Sequence, residues 1–147
     1  MKRISRSAIV GHPAKQMYEL VEDIEAYPRF LPWCTAAVVH ERTGRSTRAT
    51  LTVGVRGLRQ AFTTRNANTP GESIEMALIE GPFKSFGAAW RFRALSPEAC
   101  RIEFTLEYEF ASRAAGRLLE PLFDRMADTM VDAFAQRAEQ VHGTAGR

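Results

Sequence analysis

Tyr27-Pro28-Arg29-Phe30-Leu31-Pro32-Trp33-Cys34 sets large apolar side chains around two prolines, and the chemistry open to such a segment is recognition of an apolar partner rather than bond making. Each proline fixes φ and removes a backbone donor, and the residue before it is driven toward extended geometry, so the segment is a stiff, kinked connector. It presents Tyr27, Phe30, Leu31 and Trp33 as a rigid apolar surface. That surface either plugs one end of a core or forms the lip of a cavity for an apolar ligand.

Residue types that make and break bonds are sparse. Cys34 and Cys100 are the only cysteines, and His12, His40 and His142 lie scattered without metal-ligand spacing, so no metal site is expected. There is no Gly-rich phosphate loop, no Gly-x-Ser-x-Gly elbow and no His-Glu pairing suited to metal hydrolysis. Both thiols are expected to be free, with Cys34 a small buried hydrophobe beside Trp33. Tyr108 or His40 could serve as acid or base toward a polyketide or aromatic substrate, yet neither has a visible partner. A non-enzymatic protein with no required cofactor is the expectation.

The net charge of +3 hides an uneven distribution. From Arg42 to Gly71 there are six arginines and no aspartate or glutamate, whereas acids outnumber bases from Glu72 onward. Arg48, Arg56, Arg59 and Arg65 are thus candidates for binding nucleic acid or an anionic membrane surface. Solvated arginines that keep sheet edges soluble would give the same pattern. No exposed aromatics are expected to interleave with them, which argues against base stacking.

The elements that must position these residues follow from periodicity. The chain of 147 residues, 45% hydrophobic, fits one soluble domain over 1–147 with an ordered core of about 2–142. No window approaches the roughly 18 apolar residues of a spanning helix. A cytoplasmic location, or one peripheral to the inner membrane, is expected. Lys2–Val10 alternates as a first strand, and Pro13 opens a short amphipathic helix through Met17, Leu20, Val21 and Ile24. One more helical turn is expected around Glu25–Leu31.

Period-two runs then follow through Ala49–Val55, Leu58–Thr64, Ile74–Leu78, Phe86–Phe92 and Ile102–Phe110, as antiparallel hairpins with one wet face require. A long terminal helix carries Leu118, Leu119, Leu122, Phe123, Met126, Met130, Phe134, Ala138 and Val141 as one stripe. Pro121 lacks an amide donor, so a break or kink is expected there, with the main helix running from about Pro121 to His142. Gly143 is a natural stop, and Thr144–Arg147 are expected to fray. The fold class is α+β: a curved antiparallel sheet of six or seven strands wrapped around the C-terminal helix.

One helix against so broad a concave face leaves space for an apolar cavity or a solid interdigitated core. Large residues bracket that space: Phe62, Trp90, Phe92, Phe104, Tyr108, Met126, Met130 and Phe134. Val53 lies on the same inward face. Gln60 and Thr64 place polar groups on that face, where a ligand head group could use them. The entrance would be Tyr27, Phe30 and Trp33 with Pro82 and Phe83.

The connector, together with Phe62-Thr-Thr-Arg-Asn66, Ile74-Glu-Met76, Gly81-Pro-Phe-Lys-Ser-Phe86, Trp90-Arg-Phe92 and Met130-Val-Asp-Ala-Phe-Ala-Gln-Arg-Ala138, resembles the bacterial ribosome-association toxin family. That family is itself similar to the mitochondrial coenzyme Q-binding proteins. The resemblance spans nearly the whole chain, with Pro121 as a departure. It implies a START-like helix-grip fold of the polyketide cyclase/dehydrase superfamily. It also implies two activities: binding ubiquinone or a related isoprenoid lipid in support of cellular respiration, or binding the large ribosomal subunit and preventing its association with the small one.

Overall fold

The computed structural model describes residues 1–55 and 57–143. Arg56 and the fraying end expected at Thr144–Arg147 lie outside the described residues. In chain order the elements are β1 (Lys2–Val10), α1 (Ala14–Glu22), a 3-10 helix (Ile24–Arg29), β2 (Cys34–Arg42), β3 (Ser46–Val55), β4 (Leu58–Thr69), β5 (Ser73–Glu80), β6 (Phe83–Ser96), β7 (Ala99–Phe110) and α2 (Arg113–His142). The strands form one antiparallel sheet in the order β1-β7-β6-β5-β4-β3-β2. Alternation decides which face is dry. Ile102, Phe104, Leu106 and Tyr108 of β7 are buried while Arg101 and Thr105 are exposed.

On the wet face Arg93 meets Glu103 at 2.7 Å and Arg91 meets Glu75 at 3.5 Å. These exposed cross-strand pairs tune register more than they hold the sheet.

The terminal helix differs from expectation in two respects. It runs unbroken for 30 residues from Arg113 to His142, with Pro121 inside it. Ser112 caps it, accepting a hydrogen bond from the Ala115 amide at 3.1 Å, so the helix starts well upstream of the proline. Pro121 is exposed, which leaves its missing backbone bond on the wet side. The buried stripe also shifts. Leu118 is 63% exposed and Val141 49% exposed, and Ala127 and Val131 are buried in their stead. Leu118 falls off the stripe once a 3.6-residue period is followed from Leu119, and Val141 falls in the last turn.

One flank of α2 is clasped to the edge strand. Lys2 reaches Glu120 at 3.2 Å and Asp124 at 2.5 Å, and Arg6 reaches Asp128 at 2.6 Å. These acids recur every four residues along one side of the helix. The hydrogen bond to Asp124 raises Lys2 to about 12.

A buried polar row lies under β3 and β4. The Thr64 hydroxyl donates to Asn66 Oδ1 at 2.9 Å, and Asn68 Nδ2 donates to Thr47 Oγ1 at 3.0 Å. All four side chains are buried. Polar groups in such a place cost stability unless paired, and these pair with one another.

Candidate apolar ligand site

The connector Tyr27–Cys34 closes one end of the space between sheet and helix. Its first part is the 3-10 helix, with Pro28 inside; beyond it the Leu31 amide donates to the Tyr27 carbonyl at 2.9 Å and the Cys34 amide to the Leu31 carbonyl at 3.0 Å. The Gly54 amide donates to the Trp33 carbonyl at 2.9 Å, tying the connector to β3. Glycine is required there, because a Cβ would lie 2.3 Å from the Leu58 carbonyl oxygen.

The side chains divide in two. Tyr27, Leu31, Trp33 and Cys34 are buried, whereas Phe30 is half-buried and Pro32 exposed. The Tyr27 hydroxyl donates to the Val21 carbonyl, and burial pushes this phenol above its ordinary range. Trp33 Nε1 donates to Thr129 Oγ1 at 3.3 Å. Burial raises the Cys34 thiol to about 11, which leaves it protonated and unsuited to nucleophilic work at neutral pH.

Behind the connector lies an apolar cavity of about 50 Å³. Of the residues expected to surround a ligand, Tyr27, Trp33, Phe62, Trp90, Met126 and Met130 line it. Periodicity missed further wall residues: Leu51, Met76, Phe86, Ala88, Leu106, Phe123 and Ala127. Phe104, expected at the edge of the space, is also part of the wall. Among the described residues no charged side chain lines the cavity. Its hydroxyl and indole N–H, from Tyr27 and Trp33, are both engaged in the bonds just given.

The other expected site residues sit elsewhere. Leu31 and Val53 are fully buried in the solid core. Phe134 is fully buried against Tyr27, Phe30 and Trp90, with ring centroids at 5.4, 5.1 and 5.2 Å. Phe92 stacks on Trp90 and meets Tyr18 of α1 edge-on. Phe83 belongs to an aromatic cluster with Phe110 and Phe123, both at 5.2 Å, so it is packing rather than an entrance. Pro82 lies in a separate surface depression with Gln60 and Thr63. Phe30 faces outward, with the Arg137 guanidinium 5.0 Å above its ring.

The polar candidates are also spoken for. Gln60 Nε2 donates to the Ala61 carbonyl at 3.1 Å and the Thr64 hydroxyl donates to Asn66, and neither residue lines the cavity. Tyr108 lies off the cavity wall, in contact with Phe83, Phe110 and Phe123. Its hydroxyl is the one buried side-chain polar atom without a hydrogen-bond partner among the described residues, and burial pushes it up to about 12. His40 is exposed and meets the Thr50 hydroxyl at 2.7 Å. Neither is placed to act as acid or base on anything in the cavity.

The arginines do not form one patch. Arg48 and Arg65 stand directly opposite each other on the wet face of the β3–β4 hairpin. Arg59 lies at the other end of that hairpin, opposite Gly54. Arg42 is occupied, meeting Glu22 at 2.8 Å and Glu25 at 2.9 Å, and its hydrogen bond holds the Glu25 carboxyl below the usual carboxylate range. Arg56 lies outside the described residues.

A curved sheet gripping one long helix over an apolar cavity defines the helix-grip class, here in its START-like form. Among solved structures, the Zhui aromatase/cyclase from a Streptomyces species superposes with a TM-score of 0.85 at 20% identity, covering 99% of this chain and 98% of that one. That likeness speaks for the fold alone. Residues 10–135 match the family described as polyketide cyclase/dehydrase and lipid transport, and the chain belongs to this family. Within it, the chain is 47% identical over 140 residues to the Pseudomonas aeruginosa "Ribosome association toxin RatA", covering 95% of this chain and 97% of that one. It is 31% identical over 148 residues to the Xenopus laevis "Coenzyme Q-binding protein COQ10 homolog B, mitochondrial", covering 97% of this chain and 61% of that one. Among the described residues no helix is long and apolar enough to cross a membrane.

Proposed function

We propose that this protein binds an isoprenoid lipid, ubiquinone or a close relative, between sheet and α2, without transforming it, in support of respiration. The observation that carries the reading is a cavity walled by apolar side chains whose polar atoms are already bonded elsewhere. Such a wall solvates a hydrocarbon chain and offers no group to polarise a carbonyl or move a proton. At about 50 Å³ the space is well short of the roughly 300–1,000 Å³ of a drug-sized site, so a tail enters by displacing side chains. Met76, Met126 and Met130 in the wall suit that, being unbranched and adaptable. The name of the Xenopus relative adds support for a quinone.

The experiment is organic extraction of purified protein with mass spectrometry, alongside quenching of Trp33 and Trp90 by added quinone. A co-purifying quinone with saturable quenching is expected. Repeated recovery of no lipid together with no quenching would sink the reading.

A second reading, association with the large ribosomal subunit, is favoured by the Pseudomonas relative's name and by Arg48 and Arg65, like charges held side by side. Such a pair is destabilising by itself and is relieved by an anion such as a phosphate. Co-sedimentation with large subunits should weaken with salt by about one unit of log-log slope per phosphate contacted. Binding unchanged from low to high salt, or after Arg48→Gln and Arg65→Gln together, would remove this reading. The two activities use different surfaces, and a cytoplasmic protein touching the inner-membrane face could carry both.

A further inference from the structure

Trp33 lines two spaces at once: the apolar cavity on its inner side and a groove of about 400 Å³ of mixed polar and apolar lining between the connector and α2 on its outer side. Phe30 forms part of the groove on the connector side, and Arg125, Asp132, Gln136, Arg137 and Gln140 form the α2 side. Among the described residues none of Arg125, Asp132 and Arg137 takes part in an ion pair. The groove therefore offers guanidinium and amide donors in excess of acceptors.

We infer that this groove holds the oxygen-bearing head of an amphipathic ligand whose hydrocarbon tail passes Trp33 into the cavity. The inference rests on the ligand-binding reading above and adds to it a head-group site and a door. Trp33 is suited to be the door because it lies between the two spaces and its one polar tie to α2 among the described residues is a long hydrogen bond, to Thr129 at 3.3 Å. Phe62 also borders both the cavity and an outer depression, at Gln60 and Pro82. It is wedged among Phe83, Phe86 and Phe123, with ring centroids at 6.2, 5.7 and 5.9 Å, so that end stays shut. The donors call for acceptor oxygens on a compact head, and the ligand-binding reading makes these the carbonyl or ether oxygens of a head joined to an apolar chain.

The test uses the full chain and two probes of similar shape. One is a dimethoxybenzoquinone carrying a ten-carbon alkyl chain, and the other is decylbenzene, which lacks the oxygens. Calorimetric titration should show the wild type binding both. The Arg125→Gln, Arg137→Gln double variant, altered outside the core, should lose about tenfold in affinity for the quinone and nothing for decylbenzene. Thr129→Val should speed association of the quinone, followed by stopped-flow tryptophan emission, by about 3- to 10-fold, the worth of one neutral hydrogen bond. Equal losses for both probes, or no loss, would overturn the head-group site, and an unchanged association rate would overturn the door. Failure of the wild type to bind either probe would instead overturn the ligand-binding reading and the groove with it.

Discussion

The two flanks of α2 are held by different means. Toward β1, Lys2 and Arg6 grip three acids at one-turn spacing, and the helix start is capped by Ser112. Toward the connector, the polar tie is the Trp33–Thr129 bond, beside a groove whose charges are unpaired. Exposed ion pairs contribute little one by one, yet a row of them fixes orientation. The contrast teaches where a helix-grip fold can open. The clasped flank sets the position of the helix, and the connector flank is free to yield.

The aromatic cluster under α2 is common to both flanks, and removing it should have the largest effect. Phe123 contacts Phe62, Phe83, Tyr108 and Phe110, so Phe123→Ala should cost about 3–5 kcal/mol in urea unfolding. Phe30→Ala on the connector should cost less, about 1–2 kcal/mol, since half-buried Phe30 gives up only part of a buried ring's contribution. A cost equal to that of Phe123 would return the connector to the core and erase the difference between flanks.

The two thiols report on the flanks separately. Cys34 ends the connector, and Cys100 on β7 faces Val10 of β1. Burial pushes both up to about 11. Alkylation should be slow at pH 8 and climb as the pH approaches 11, because the thiolate is the reactive form. Thr129→Val should accelerate Cys34 and leave Cys100 unchanged, as read by mass spectrometry of labelled peptides. Faster labelling of Cys100 would reverse the assignment of the yielding side.

The smallest effect is expected at the clasp. Lys2 and Asp124 are about two-fifths exposed, so Asp124→Asn should cost at most about 1 kcal/mol, and less in 1 M salt. Lys2 is raised, so its contribution is complete below its unfolded pKa of about 10.5 and is lost as pH rises through about 12. A loss beginning near neutral pH would assign the effect to another group.

Much of this was legible in the sequence because a sheet with one wet face writes its burial as alternation. Ile102 to Phe110 could be assigned residue by residue on that ground. Periodicity says which face is dry but not which dry side chains border empty space, so Phe86, Leu106 and Phe123 are not expected in the wall while Phe92 and Phe134 are. Asn66 and Asn68 lie on the dry face too, where polarity argues against burial until their partners are known. Pro121 misled for a local reason, since a proline marks a break by default and its exposure on a long capped helix is a tertiary fact. The connector was half legible: its stiffness follows from Pro28 and Pro32, but the split between inward Trp33 and outward Phe30 needed the helix opposite.

The clasp also bears on how the chain folds. Lys2 and Asp124 are 122 positions apart, and β1 is an edge strand that pairs, among the described residues, with β7 alone. The hairpins from β3 to β7 close short loops, whereas β1 must wait for nearly the whole chain. The expectation is that β1 docks late, after the rate-limiting barrier. Weakening it, for instance by Ala8→Gly, should quicken unfolding and leave the folding rate nearly untouched, which a chevron plot would read directly.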